Sequence, residues 1–129
     1  MKPRFLYHGS PKKIEGGYLL PRKPLDLGKR AENTHDAVYA TEVKEIAIAM
    51  ALVKCKGVKS SSVNFTKNPV AVISEGWPEQ EFIYLYILPS DGFEKTHTAG
   101  HQWVSLKPVK PVREERLAVR GYLHLVRKK

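Results

Sequence analysis

Phe5-Leu6-Tyr7-His8, followed at once by Gly9-Ser10-Pro11, is the stretch on which the reading of this chain turns. The first four residues predict a short strand, and the Gly-Ser-Pro triplet predicts the turn that stops it. His8 therefore belongs at a strand end. Gly9 has no Cβ, so a flat polar ligand can pair there with main-chain N–H and C=O while the imidazole bonds a hydroxyl. The plainer reading of the same residues is a strand-end histidine before an ordinary turn.

Thirty-one positions after His8 comes Val38-Tyr39-Ala40-Thr41. Ala37–Ala40 predicts a second strand, with Tyr39 either stacking on a planar ring or filling the core. Thr41 can cap a helix whose apolar positions are Val43, Ile46, Ala47, Met50 and Ala51, one amphipathic stripe. Glu42 and Glu45 at its start, and Lys54 and Lys56 at its end, suit the helix dipole, and Gly57 is the stop.

Between these segments, Lys12–Asp36 is rich in Pro, Gly and charge and predicts a long loop with no more than one short strand. Downstream, Ser60–Lys67 reads as a loop or hairpin tip. Pro69–Ile73 reads as a strand, and Glu81–Leu88, apolar on both faces, as the central one. Pro89-Ser90-Asp91-Gly92 is a turn and Gln102–Leu106 a fifth strand. Pro108 and Pro111 confine the chain after that strand to an edge or an irregular path. Leu117–Val126 is assigned to strand, although Arg113–Arg120 also fits a helix. No linker or repeat divides the chain, so residues 1–129 are expected to form one domain.

Twenty-two Lys and Arg against thirteen Asp and Glu give a net charge of +9. That balance favours an anionic partner, either a nucleic acid or an acidic substrate. Arg127-Lys128-Lys129 reads as a solvated tail. The lone cysteine, Cys55, can form no internal disulfide, and its place at a helix end makes it a half-buried side chain more readily than a nucleophile. No apolar run reaches the length of a membrane span and no signal peptide opens the chain, so a cytoplasmic protein without membrane contact is expected. His97 and His101 lack neighbours at metal-ligand spacing, which argues against zinc. Trp77, between Gly76 and Pro78, reads as a loop anchor.

Tyr7-His8-Gly9-Ser10, Leu20-Pro21, Val38-Tyr39-Ala40-Thr41, the Ala47–Ala51 helix and the apolar strand ending in Pro89 together resemble the ADP-ribosyltransferase superfamily. The likeness is to its histidine-tyrosine branch and, within that, to the small rifampin ADP-ribosyltransferase type. The resemblance implies an α+β fold of two small, packed, mainly antiparallel β-sheets with a central NAD cleft and one or two short helices. NAD would be the co-substrate, with no metal. Gly9 would pair with the nicotinamide amide, Tyr39 would lie against its ring, and His8 and Ser10 would hold ribose hydroxyls. Ala40, Thr41 and Met50 would line the same cofactor site, Met50 standing where relatives carry a second stacking tyrosine.

The third catalytic position, an acid in the family, falls on Gln102, which can bond the ribose but carries no charge. Glu94 and Asp91, in the loop after the fourth strand, are the acidic alternatives. Arg22, Lys23, Lys29 and Arg30 are candidates for the diphosphate. The implied activity is NAD cleavage with transfer of ADP-ribose to an acceptor, with nucleic acid favoured by the charge. The alternative is a catalytically silent NAD-, nucleotide- or RNA-binding module of the same fold.

Overall fold

The computed structural model describes residues 3–21, 37–64, 70–95 and 102–129. In chain order these form β1 (Phe5–Ser10), β2 (Val38–Thr41), α1 (Lys44–Val53), β3 (Val58–Asn64), β4 (Val70–Gly76) and β5 (Phe82–Pro89). There follow β6 (Glu94–Lys95), β7 (Gln102–Ser105), β8 (Arg113–Ala118), a 3-10 helix (Val119–Leu125) and β9 (Val126–Lys128). The class is mixed α+β. Six strands form one sheet in the order β6-β7-β2-β1-β5-β8, and three form another in the order β3-β4-β9. Every pairing is antiparallel except that of β4 with β9.

The first strand runs past its expected stop. Gly9 and Ser10 continue β1 in register with Leu85 and Tyr84 of β5, so His8 lies within the strand and not at its end. The glycine belongs there because α1 crosses β1 closely: a Cβ on Gly9 would run into the carbonyl oxygen of Ala47 and crowd Ala51. Gly9 thus serves as a helix-packing position, and its bare face is taken by α1.

The helix differs from its amphipathic reading for a related reason. Ile46, Ala47, Ile48, Ala49, Ala51, Leu52 and Val53 are all buried, covering most of its circumference. One side meets the six-stranded sheet and another meets β3, β4 and the 3-10 helix, so α1 lies between the two sheets. A helix enclosed on several sides needs no polar stripe. Its first helical residue is Lys44, and Thr41 stands outside it, accepting the Val43 N–H at 3.1 Å through its hydroxyl. Gly57, at φ +92°, closes the turn after the helix.

Three further expectations change. Residues 60–64 lie in β3, where pairing with β4 supplies the hydrogen bonds that a serine-rich segment makes poorly by propensity. The segment 117–126 is split: the strand β8 ends at Ala118, the 3-10 helix carries the chain across, and β9 begins at Val126. The basic tail Arg127-Lys128-Lys129 is exposed but its backbone is paired, since β9 adds to β4 and the Lys129 N–H bonds Ile73 O at 2.9 Å. The strand expected to be central, β5, is an inner strand between β1 and β8, with Ile83, Leu85, Tyr86 and Leu88 buried. Trp77 is held through its backbone, its N–H bonding Gly57 O, while the side chain is exposed.

A second core covers the other face of the six-stranded sheet, built from Leu6, Val38, Ala40, Tyr86, Leu88, Phe93 and Trp103. Leu19 and Val109 close over it, joined by a reciprocal pair of backbone hydrogen bonds at 2.8 and 2.9 Å. Tyr86 pins the chain leaving β1: the Ile14 N–H donates to its hydroxyl at 2.8 Å. Among the described residues, no helix is long and apolar enough to cross a membrane.

Candidate functional site

The site arises from an interruption inside the larger sheet. The ladder between β1 and β2 contains one register pair, Tyr7 with Thr41. Beyond it β1 runs on to Ser10 against β5, while the preceding residues of β2 pair with β7. Where the two strands part, a cavity of about 590 Å³ opens. His8, Gly9, Ser10, Val38, Tyr39, Met50 and Gln102 all line it. The cavity therefore lies within the six-stranded sheet, and among the described residues no part of the three-stranded sheet reaches it.

Side chains alternate across a strand, so His8 and Ser10 belong to the face shared with Leu6, and Gly9 to the α1 face. Tyr39 is out of phase with Val38 and Ala40, which enter the second core, and so it too is on the α1 face. The gap lets groups from both faces meet in one cavity. His8 spans it: Nδ1 lies 2.6 Å from the Tyr39 carbonyl oxygen. A carbonyl can only accept, so Nδ1 carries the proton, and in the neutral ring Nε2 is left as the acceptor nitrogen. The imidazole orientation is thus fixed by the very strand that carries Tyr39.

The other expected residues are distributed unevenly. Gln102 faces Thr41 in the β2–β7 register and lines the cavity. Ser10 lines it as well, with its hydroxyl engaged in a local turn, donating to Lys12 O at 2.8 Å and accepting the Lys12 N–H at 3.2 Å. Ala40 and Thr41 are buried and do not line the cavity. Glu94 sits on the outer strand β6 and Asp91 in the turn before it, both exposed and both away from the cavity. Arg22, Lys23, Lys29 and Arg30 lie outside the described residues, as do His97 and His101. Among the described residues no three His, Cys, Asp or Glu side chains cluster so as to hold a metal ion.

Sequence reasoning missed several lining groups. Lys12, Lys13, Ile14, Glu15 and the Tyr18–Leu20 segment form one wall, and Lys54 contributes from the end of α1. Lys54 was readable: it follows Met50 by four positions and so shares its helix face. Gln80 was not, because its task is tertiary. Its side-chain Nε2 donates to Pro11 O and Phe82 O, each at 2.7 Å, and its Oε1 accepts the Lys56 N–H at 2.8 Å. One amide thereby ties the exit of β1 to the exit of α1.

Cys55 is buried, its thiol directed at Ala51 O at 3.4 Å, and burial pushes its pKa up to about 11. A thiol so held is not a nucleophile at neutral pH. Glu42, just after β2, accepts from the Trp103 indole N–H at 3.1 Å.

No family model, curated protein or solved structure matches this chain. The functional reading therefore rests on the site itself.

Proposed function

We propose that this chain is an NAD-dependent ADP-ribosyltransferase of the histidine-tyrosine type and that its two-sheet architecture is a variant of that fold. The observation that supports the reading is the meeting of His8 and Tyr39 at one cavity, joined by the Nδ1 to carbonyl bond across the break between β1 and β2. A cavity of about 590 Å³ suits the proposed ligand, since small-molecule and cofactor sites span roughly 300–1,000 Å³. The lining also mixes apolar walls, backbone and cations, as a nucleotide requires.

In this reading His8, with its tautomer fixed, turns Nε2 toward a ribose hydroxyl. Tyr39 and Met50 flank the flat ring of the ligand. Gln102 bonds a second hydroxyl through its amide. The nicotinamide, being cationic, supplies its own capacity to leave. What the chain must add is an environment that tolerates positive charge developing on the ribose. The acceptor is a nucleic acid or another anionic substrate, in keeping with the charge of +9. The compartment is the cytoplasm, in keeping with a single thiol.

The test is incubation with NAD in the presence of RNA, protein and small-molecule pools, following nicotinamide release and label transfer. Release by the wild type, falling about a hundredfold in Tyr39→Ala and His8→Ala, is expected. No release from any pool removes the enzyme reading.

A second reading, a silent binding module, has its own support: the neutral Gln102 stands at the cavity while Glu94 and Asp91 stand away from it. Binding of NAD without turnover selects the module. Turnover gained on Gln102→Glu would show that the charge missing at that position is the reason.

A further inference from the structure

The α1 end of the cavity holds a cation that no carboxylate among the described residues answers with a salt bridge. Lys54 is the C-cap of α1, and its N–H bonds Ala51 O at 3.1 Å while the next N–H, of Cys55, bonds Leu52 O at 3.3 Å, so its backbone is fixed. Its side chain is half-buried and lines the cavity one turn beyond Met50. Two other cations among the described residues form salt bridges: Lys13 Nζ lies 2.8 Å from Glu114, and Arg113 lies 3.3 Å from Glu115. Among the described residues no such pair holds Lys54, and burial alone pushes its pKa down.

The loop wall of the cavity supplies a second cation. Lys12 lines the same cavity, its backbone gripped on both its N–H and its C=O by the Ser10 hydroxyl. The Gln80 amide joins Pro11 O to the Lys56 N–H, so the segment bearing Lys12 and the segment bearing Lys54 are held to one another. A desolvated ammonium is costly unless an anion reaches it, and a phosphate oxygen within a preorganised cleft offers a charge-assisted hydrogen bond.

We propose that Lys54, together with the exposed Lys12 on the same cavity, is an anion seat that takes a phosphate group of the cavity's ligand. The ligand class is thereby a phosphorylated nucleotide, with its phosphate at the α1 end of the cavity and its planar part toward Tyr39 and Met50. This rests on the cavity being the ligand site. It does not require that NAD be cleaved.

The experiment is calorimetric titration of the full chain and of Lys54→Gln, Lys54→Arg and Lys12→Gln with inorganic pyrophosphate, ADP-ribose and nicotinamide. Lys54→Gln is expected to weaken pyrophosphate and ADP-ribose about tenfold or more while leaving nicotinamide within about twofold. Lys54→Arg should restore most of the loss, and Lys12→Gln should give a smaller loss of the same selectivity.

The proposal is overturned if Lys54→Gln, folded by circular dichroism, binds both phosphate ligands as the wild type does. It is equally overturned if nicotinamide is lost in the same measure, which would mark a structural role, or if the wild type binds neither phosphate ligand. Failure of the transferase reading looks different: no nicotinamide is released or bound, yet pyrophosphate binds and depends on Lys54.

Discussion

Tyr86 shows how a single residue couples core, loop and pH. It is fully buried, its hydroxyl accepts from Ile14 N–H and meets Glu114, and burial pushes its pKa up to about 12. A phenol whose folded pKa exceeds its unfolded value of 10.0 stabilises the fold fully below pH 10 and loses that contribution as pH rises toward 12. Cys55, raised from 9.0 to about 11, acts with the same sign from pH 9 upward. Urea unfolding across this range should therefore show stability falling above pH 9. Tyr86→Phe should flatten the fall between pH 10 and 12 and cost about 1 to 2 kcal/mol at pH 7 through the stranded Ile14 N–H. An unaltered slope in that variant would remove Tyr86 from the account. The inertness of Cys55 was legible in the sequence, because a thiol ending an apolar helical pattern has nowhere to go but inward. Lys54 could be placed on the helix face of Met50, but its charge gave no sign of a cavity there: a basic residue at a helix end satisfies the dipole rule equally well facing water or facing a cavity.

Among the elements, α1 and β1 define each other. Gly9 admits the helix, and Ala47 and Ala51, four apart on one helix face, are the small residues opposite it. Gly9→Ala should cost about 3 kcal/mol, because the added methyl meets main chain that cannot rotate aside. Thermal denaturation measures this, and a melting temperature equal to the wild type's would mean that the helix does not press on Gly9. The existence of β1, β2, α1, β5 and β7 was legible from apolar runs and punctuation. The extension of β1 through Gly9-Ser10 and the identity of β3 were not. Glycine and serine carry turn signals locally, and here the neighbouring strand or helix overrides them. Tyr7-His8-Gly9-Ser10 and Val38-Tyr39 contain residues that line the cavity, Gly9 among them although α1 occupies its bare face.

Across the whole molecule, the chain closes on itself through its last strand. From β8 on the edge of the larger sheet the 3-10 helix crosses to β9, which pairs with β4, and Lys128 Nζ bonds Gly76 O at 2.8 Å. Removing residues 126–129 should cost about 2 to 4 kcal/mol in lost ladder bonds. It should also raise aggregation by baring the edge of β4. Denaturant titration with light scattering would read both, and a truncated chain as stable and monodisperse as the full one would refute the role. The basic tripeptide gave no hint of this, since its charge hides a strand whose partner is more than fifty positions away. The parting of β1 from β2 has a broader meaning. Sheets ordinarily present open margins only at their perimeter, where a second polypeptide can dock and grow a fibre. Here a short margin is turned toward the interior, walled by a helix and a loop. On the proposed reading, the planar amide of the ligand takes the place there that a neighbouring strand holds elsewhere in the sheet.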